Sequence, residues 1–266
     1  MRLFRSGLRK LIRRPASWVT FGLLAGLLVL IFVAVGATSR TETDGQAAVM
    51  ARTLVTFPAA YTFVLGFILG LGGLLALTYG AAIAGSEWQW GTRGESRTVY
   101  TLATYASIVA MVLAGVVAAF LVGVVAAAIG AVLAGVDLGG ITDARALGDL
   151  PEQFARGALT LSMTVAIGFA VATVAKSQLA GIGIGLGLFF GEQFAGIFLP
   201  DIVQYLPFSV AGAVQAGGGG FGPGGGGDGP GGAMLGPTAA LIAGVAWLVG
   251  ALVFASAWTE RAEIGR

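Results

Sequence analysis

The chain of 266 residues has few side chains that could do covalent or metal chemistry. It contains no cysteine, no histidine and no asparagine. Disulfides, Cys/His metal centres, Ser-His-Asp triads and N-glycosylation are therefore excluded for this sequence. What remains for function are charged or polar side chains in unusual surroundings, and two places in the sequence have them.

Glu192, followed by Gln193, lies in an otherwise apolar run. Burying a carboxylate in a membrane-spanning segment is expensive, so such a residue marks a functional site by default. The sequence of residues 194–200 indicates that the helix ends or re-enters nearby, which favours a carboxylate in contact with external water. The alternative is that Glu192 and Gln193 contact a ligand or a proton along a transport pathway.

The second place is a short polar and aromatic segment, residues 85–98. It contains Glu87, Trp88, Trp90, Gly91, Thr92, Arg93 and Arg97. Tryptophans are typical of the membrane interface, and alternating glutamate and arginine side chains are typical of a solvated loop. The alternative is a surface that offers charged contacts to a partner protein.

The composition of the chain indicates which class of protein contains Glu192 and the segment 85–98. Hydrophobic residues make up 56% of the chain and charged residues 11%, and the mean hydropathy is +0.89. An ordinary soluble domain carries about 25% charged residues. The chain therefore has more apolar surface than one soluble core could hide, and we expect a single transmembrane domain over residues 1–266 rather than a soluble enzyme.

The apolar residues are distributed in long runs. Crossing about 30 Å of hydrocarbon takes roughly 20 apolar residues in a helix. Six windows meet this requirement, so the predicted fold class is an all-α integral membrane protein. The third window would reach about 50 Å as a helix, so it must tilt, break or extend beyond the bilayer. The predicted spans are residues 18–37, 58–84, 101–134, 154–175, 179–199 and 235–258.

Basic residues predict the orientation of these spans. Six spans put both termini on one side, where eleven Lys and Arg residues fall, against four on the other side: Arg40, Arg52, Arg145 and Arg156. By the positive-inside rule both termini are predicted to be cytoplasmic. Thirteen arginines against two lysines indicate a GC-rich prokaryotic coding sequence. The predicted location is therefore a prokaryotic cytoplasmic membrane.

Residues 1–15 are predicted to form an amphipathic helix at the membrane interface, with basic residues on one face. The apolar residues of the other face are Phe4, Leu8, Leu11 and Ile12. Pro15 would end or kink this helix. The helix would either anchor the topology or dock a cytoplasmic partner. A cleaved signal peptide is not expected, because the apolar run that follows is about 20 residues long.

The 45 glycines form two populations. Those inside the spans recur at a small-xxx-small spacing that predicts close helix packing. They are Gly22/Gly26, Gly66/Gly70, Gly181/Gly185 and Gly183/Gly187/Gly191. Residues 217–232 are glycine at twelve of sixteen positions, which predicts a flexible tract. A GxGxxG match in this tract and the pair Lys176-Ser177 lack the context of nucleotide-binding loops, so no ATP site is expected in this chain.

A short apolar piece precedes the glycine tract. Residues 200–208 contain two prolines, Pro200 and Pro207, and are too few to span a bilayer. A re-entrant or surface-lying element is therefore predicted on the external side, followed by a glycine-rich loop that ends at residue 234.

One motif carries a family resemblance. Glu87-x-x-x-Gly91-Thr92-Arg93, followed by Ser96-Arg97, resembles the loop after the second helix of type-2 ABC exporter permeases, the ABC-2-type transmembrane proteins. That family has an amphipathic elbow helix, six spans with both termini inside, and a membrane-dipping element between spans five and six. Residues 1–15, the six windows and residues 200–208 look like those parts, and Tyr205-Leu-Pro207-Phe208 is similar to a phrase common before the last span. Gly94-Glu95 departs from the family, since relatives commonly have an apolar run there.

The resemblance implies the permease subunit of an ATP-driven exporter, which forms the translocation pathway as a dimer with a second copy or a paralogue. A separate cytoplasmic ABC ATPase dimer would bind ATP and Mg²⁺ and hydrolyse the ATP. This chain would then be no enzyme, hold no cofactor or metal of its own, and bind no nucleic acid. Its contact with the ATPase would be a short coupling helix between spans two and three that includes Glu87, Gly91, Thr92 and Arg93. Two other functions stay open: a membrane scaffold for a cytoplasmic partner, and an ion-coupled carrier that uses Glu192.

Overall fold

The computed structural model of the chain describes residues 2–41, 46–90, 97–216 and 235–261. These residues form helices and short connections, with no strand among them. Six of the described helices are long and apolar enough to cross a membrane, which confirms the all-α class and the predicted number of spans. In chain order the α-helices are α1 (Arg2–Arg13), α2 (Pro15–Thr41), α3 (Gln46–Val55), α4 (Ala59–Trp90), α5 (Arg97–Ala134), α6 (Ala144–Ala175), α7 (Gln178–Phe198), α8 (Pro200–Val203), α9 (Pro207–Ala216) and α10 (Pro237–Arg261).

The third candidate span, α5, is one unbroken helix of 38 residues. At 1.5 Å per residue it is about 57 Å long. Of the three predicted alternatives, a break is therefore wrong, and α5 must tilt or extend beyond the bilayer. The helix ends before Gly135, whose φ of +71° is the left-handed conformation that commonly terminates helices.

Two other elements differ from the sequence prediction. α6 begins at Ala144 rather than at residue 154, because Asp143 caps the helix and accepts hydrogen bonds at 2.9 Å from the backbone N–H groups of Arg145 and Ala146. The ten-residue helix α3 was not predicted. It is too short to register in a search for spans, although it buries Val55 in the core.

Helices α4 and α6 form the centre of the bundle. Buried residues make up 56% of the apolar window of α4 and 67% of that of α6, against 28% or less in the other four spans. The two backbones approach each other at glycines. A Cβ atom on Gly80 would lie 2.8 Å from the carbonyl oxygen of Val165, and one on Gly168 would overlap the carbonyl of Leu77. Any larger residue at these positions would push α4 and α6 apart.

The glycine spacings predicted to pack helices do so only in part. Gly181 of α7 lies against Ala172 of α6, as small-residue packing requires. Helices α2 and α5 also pack closely at Gly36 and Gly130, where an added Cβ would overlap backbone atoms of the other helix; the spacing did not single out these two glycines. Gly185 of α7 also faces α4, since a Cβ on it would lie 3.4 Å from Leu77 Cγ. For five of the predicted glycines close packing is not found within this chain. No other described part of the chain lies within 4 Å of where a Cβ would stand on Gly22, Gly26, Gly183, Gly187 or Gly191.

The end of the bundle that holds α1 is named the basic end, because α1 carries Arg2, Arg5, Arg9, Lys10 and Arg13. Arg14 Nη1 donates a hydrogen bond to Ser86 Oγ at 3.1 Å, which joins the α1–α2 junction to the last turns of α4. Thr98, at the start of α5, donates to the carboxylate of Glu260 near the end of α10. Gly85 packs directly against the turn between α6 and α7. Helix α3 and the 3₁₀ turn Gly139–Thr142 lie at the opposite end.

Helix α1 packs against α5 at the basic end. Leu11 is buried, and Phe4 and Leu8 are half-buried, as the amphipathic pattern predicted. Ile12, assigned to the same apolar face, is 46% exposed within this chain, as the membrane-facing side of an interfacial helix would be, so its assignment stays a prediction. The carbonyl oxygen of Ile12 accepts a hydrogen bond from Trp18 Nε1 at 2.8 Å.

Candidate functional site: a buried helix held at both ends

The short helix α9 lies inside the bundle rather than on its surface. Its ten residues measure about 15 Å, half of what a span needs. Phe208, Val210 and Val214 are each at most 7% exposed, and α9 packs against α6, α7 and α10. An apolar segment this short is placed among the spans only because the helices around it cover it.

The chain folds back on α7 before α9 begins. α7 ends at Phe198, yet the first turn of α9 lies beside Glu192, about 9 Å back along the axis of α7. The connecting residues stay close to α7, since a Cβ on Gly196 would lie 3.6 Å from Val203 Cγ1. α9 then runs back toward the opposite end of the bundle, where Arg156 meets its last turn.

Glu192 caps the N-terminus of α9 from a neighbouring helix. Its Oε2 accepts a hydrogen bond at 3.2 Å from the backbone N–H of Phe208, and its Oε1 accepts one from the backbone N–H of Ser209. Leu206, which precedes the helix, has no side-chain acceptor to cap these donors. The negative charge also lies at the positive end of the α9 dipole. Glu192 is 5% exposed, so the interpretation of a carboxylate touching external water is wrong.

Arg156 of α6 meets the other end of α9. Its Nη1 donates to the carbonyl oxygen of Val214 at 3.3 Å, and its Nε and Nη2 donate to Oε1 of Glu152 at 3.0 and 2.7 Å. The cation therefore lies at the negative end of the same helix dipole. From the sequence Arg156 was counted only as an external basic residue. Its four-residue spacing from Glu152 was the signal that it lies on a helix with an ion-pair partner.

Trp247 of α10 holds the turn before α9. Its Nε1 donates to the carbonyl oxygen of Tyr205 at 2.9 Å. We name Glu192, Arg156 and Trp247 the α9 clamp, because these three side chains come from three different spans and bind the two ends of α9 and the turn before it. Phe208 adds an edge-to-face contact with Phe189 of α7, with ring centroids 5.1 Å apart.

Two buried polar atoms near α9 have no hydrogen-bond partner among the described residues: Gln215 Oε1 and Thr160 Oγ1. Gln215 is 7% exposed and lines a small cavity together with Thr62, Gln153 and Arg156. The cavity has room for about one water molecule. A buried acceptor without a partner costs about 1–3 kcal/mol. The unpaired Gln215 Oε1 therefore destabilises the end of α9 at which Arg156 binds.

Gln193 does not share the environment of Glu192. Gln193 is exposed, whereas Glu192 is buried, so the two side chains face different sides of α7. Their pairing as pathway residues stays a prediction. The hydrogen-bond partners of Glu192 could not be predicted from the sequence. The two N–H donors belong to a helix that begins after a sharp reversal of the chain.

The residues predicted to couple to a partner are only partly described. The structure gives the helical backbone of Glu87, Trp88 and Trp90 in α4 and of Arg97 in α5. Gly91, Thr92 and Arg93 lie outside the described residues. The existence of a separate coupling helix therefore stays a prediction, and Glu87 to Trp90 continue α4.

The first two residues of this segment, Gly85 and Ser86, contact other parts of the bundle. Gly85 touches the backbone of Ser177 and Gln178 in the turn between α6 and α7, and Ser86 accepts the hydrogen bond from Arg14. The end of α4 is thus in contact with the α1–α2 junction and with the α6–α7 turn. That turn joins the two helices that carry Arg156 and Glu192.

Metal and family comparisons add no further assignment. Within residues 2–41, 46–90, 97–216 and 235–261, no three carboxylates come together as a metal site would require. No protein-family model matches the sequence, and a search of curated proteins finds no match.

Proposed function

We propose that the chain is the permease subunit of an ATP-driven exporter of the type-2 ABC class. It would form the translocation pathway as a dimer and couple to a separate cytoplasmic ATPase. The observation that carries the proposal is the fold-back of the chain after α7, which places α9 beside Glu192. A short helix enclosed by spans four, five and six is what the dipping element of that family would require.

The other parts of the proposal follow from the two ends of the bundle. α1 would be the elbow helix, since it is amphipathic and packs across the start of α5. The basic end would face the cytoplasm of a prokaryotic cell. Residues 85–98 would form the coupling segment, which is supported by the contacts of Gly85 with the α6–α7 turn and of Ser86 with Arg14 in the α1–α2 junction.

Helix α9 would act as the external gate of the pathway. It closes the space between α6, α7 and α10 at the end opposite the ATPase, and charged side chains hold it at both ends. Movement of the α6–α7 turn would shift Arg156 and Glu192 relative to each other. The gate would open when the α9 clamp loses one of these bonds.

An ion-coupled carrier is less well supported. A carrier carboxylate must exchange its ligand with water, but both oxygens of Glu192 accept backbone hydrogen bonds and the residue is 5% exposed. A scaffold without transport would use the same contacts at the basic end. ATP turnover in the complex separates the scaffold from the permease.

Co-purification tests the proposal. The tagged chain is extracted from its native membrane in mild detergent, and the bound proteins are identified for wild type, Glu87→Ala and Arg93→Ala. We expect an ATPase in stoichiometric amount with wild type and its loss in the two variants. The matched controls are Asp149→Ala and Arg145→Ala, exposed charges at the opposite end, which should retain the ATPase. Equal retention in all five proteins, or no ATPase in any, would contradict the proposal.

A further inference from the structure

An apolar cleft opens between α2 and α4 in the half of the bundle nearer the basic end. Both helices pack against α5 but only slightly against each other. The cleft encloses about 70 Å³ and is lined by residues such as Phe21, Leu24, Leu75 and Val112. By the same measure one water needs about 10–15 Å³, so the cleft has room for a chain of several methylene groups.

The polar groups at the rim of this cleft satisfy one another. Ser17 Oγ donates to the carbonyl oxygen of Leu11 at 2.8 Å. The hydroxyl of Tyr79 lies 2.6 Å from the same Oγ and, since Ser17 has one proton, Tyr79 donates it. Thr20 donates to the carbonyl oxygen of Ala16. The cleft therefore offers its occupant an apolar surface without an unpaired donor.

A second, cationic groove lies between α1 and α5. Lys10 and Arg14 line it together with the hydroxyl-bearing residues Ser6 and Thr104. Arg14 Nη1 donates to Ser86 Oγ at 3.1 Å, which positions the guanidinium beside the groove. Ammonium, guanidinium and hydroxyl donors are the groups that bind phosphate oxygens.

The groove and the cleft follow one another along the same two helices. On α4, Ile83 lines the groove and Tyr79 the cleft; on α5, Ser107 lines the groove and Met111 the cleft. Each pair is separated by four residues, about one helical turn. A cationic site at the membrane interface is thus continuous with an apolar one that runs inward from it.

The geometry points to one binding site for an anionic phospholipid of the leaflet at the basic end. Its headgroup phosphate binds in the groove at Lys10 and Arg14, and one acyl chain enters the cleft between α2 and α4. The glycerol unit bridges the turn between them. This lipid is a resident ligand rather than cargo, so the site stands whether or not the chain is a transporter.

Binding of defined lipids to the purified full-length chain tests this site. Native mass spectrometry is used to compare retention of phosphatidylglycerol and phosphatidylcholine after detergent extraction. We expect preferential retention of phosphatidylglycerol by wild type. Lys10→Gln should weaken that retention about fivefold, the effect of one cation near an anionic surface. Lys10 is exposed, and thermal unfolding of Lys10→Gln in the same detergent checks that the variant is folded.

A second variant tests the acyl-chain part. Gly115 lines the cleft, and a Cβ placed on it meets no atom within 4 Å, so Gly115→Leu introduces a side chain into the cleft without a backbone clash at its first carbon. It should reduce retention of phosphatidylglycerol by about fivefold or more, because the acyl chain of the lipid can then no longer bury several of its methylene groups in the cleft. The matched control is Gly73→Leu, which is equally unhindered but does not line the cleft.

Four results would overturn the site. They are equal retention of the two lipids by wild type, an effect of the charge control Arg5→Gln as large as that of Lys10→Gln, no effect of Gly115→Leu, and displacement of phosphatidylglycerol by inorganic phosphate. The last two would show a headgroup or phosphate pocket without the apolar part. Arg5 is a suitable control because it is an exposed cation of α1 outside the groove.

Discussion

The carboxylate of Glu192 in α7 accepts a hydrogen bond at 3.2 Å from the backbone N–H of Phe208 in α9. These residues belong to different helices, and the chain reverses direction between them. The bond therefore does two things at once: it satisfies an unpaired donor at a helix N-terminus, and it fixes the depth at which α9 enters the bundle. Arg156 repeats the arrangement with opposite charge at the other end of α9.

Removing the Glu192 carboxylate should loosen α9. Glu192→Ala leaves the N–H groups of Phe208 and Ser209 buried without acceptors, and we expect a loss of about 1–3 kcal/mol in stability. Glu192→Gln keeps one acceptor oxygen, so its stability should lie between those of wild type and Glu192→Ala. Thermal unfolding in detergent measures the order of the three proteins. Gln193→Ala changes an exposed neighbour and should unfold like wild type; Glu192→Ala with wild-type stability would show that the cap contributes nothing.

Arg156→Met should expose the end of α9 while keeping the aliphatic bulk of the side chain. A bond from a charged donor is worth about 1.5–3 kcal/mol, so the open state of α9 should become about 10- to 100-fold more populated. Labelling of Val214→Cys by a water-soluble maleimide reports it, because Val214 is fully buried and the chain has no native cysteine.

The control for Arg156 is Glu152→Gln. It removes the charge from the exposed side of the pair but leaves the bond between Arg156 and Val214, so labelling should change by less than about fivefold. If both variants labelled at the same rate, the bond to α9 would have no special role and the exposed ion pair alone would explain the effect.

Gly80→Leu should disrupt the centre of the bundle. A Cβ at Gly80 would stand 2.8 Å from the carbonyl oxygen of Val165, and backbone atoms of α6 cannot move aside as a flexible side chain can. Overpacking of this kind costs about 1–3 kcal/mol or more. Yield of monodisperse protein on gel filtration measures the effect. Gly73→Leu on the same helix has open space and should purify normally; equal yields would mean that α4 and α6 are not held at this distance.

Shortening the glycine-rich tract should be tolerated. Residues 217–232 lie outside the described residues, and the expectation rests on their composition, which is typical of a flexible tract. Deleting four residues from 224–227 should leave the unfolding temperature unchanged. Deleting the four residues of α8 (Pro200–Val203) removes the reversal that brings α9 back to Glu192 and should abolish folding. Loss of folding after the first deletion would assign the tract a structural role.

The sequence could predict the spans because hydropathy is a sum over many residues. The element predicted over residues 200–208 overlaps the enclosed helix α9 (Pro207–Ala216) only at its first two residues. Ile202 and Tyr205 of the predicted element are exposed, so the sequence indicated a segment too short to span but not which residues enter the bundle. The surroundings of single residues were not within reach. Glu192 reads as water-exposed because its capped N–H groups lie sixteen and seventeen residues later, and no local pattern shows that they come near.

The contacts between helices could not be predicted either, because they also depend on which parts of the chain come together in space. Small-residue spacing marks faces that can pack closely, but not which face meets a neighbour. Gly22 and Gly26 satisfy the spacing and face no other part of the chain, whereas Gly36 meets Gly130 without belonging to a predicted pair.

The most direct test of the permease proposal joins ATP hydrolysis to the position of α9. A Cβ on Gly244 of α10 would lie 3.5 Å from Val214 Cγ2 of α9, so Val214→Cys and Gly244→Cys place two thiols on facing positions, and oxidation is used to cross-link them. The double variant is purified with its bound partner, and vanadate-sensitive ATP hydrolysis is measured oxidised and reduced. We expect turnover in the reduced complex, a severalfold loss on oxidation and recovery with reductant. Two results would contradict a gate driven from the basic end. One is a purified complex without ATP hydrolysis, and the other is an ATP hydrolysis rate that is the same in the oxidised and the reduced protein.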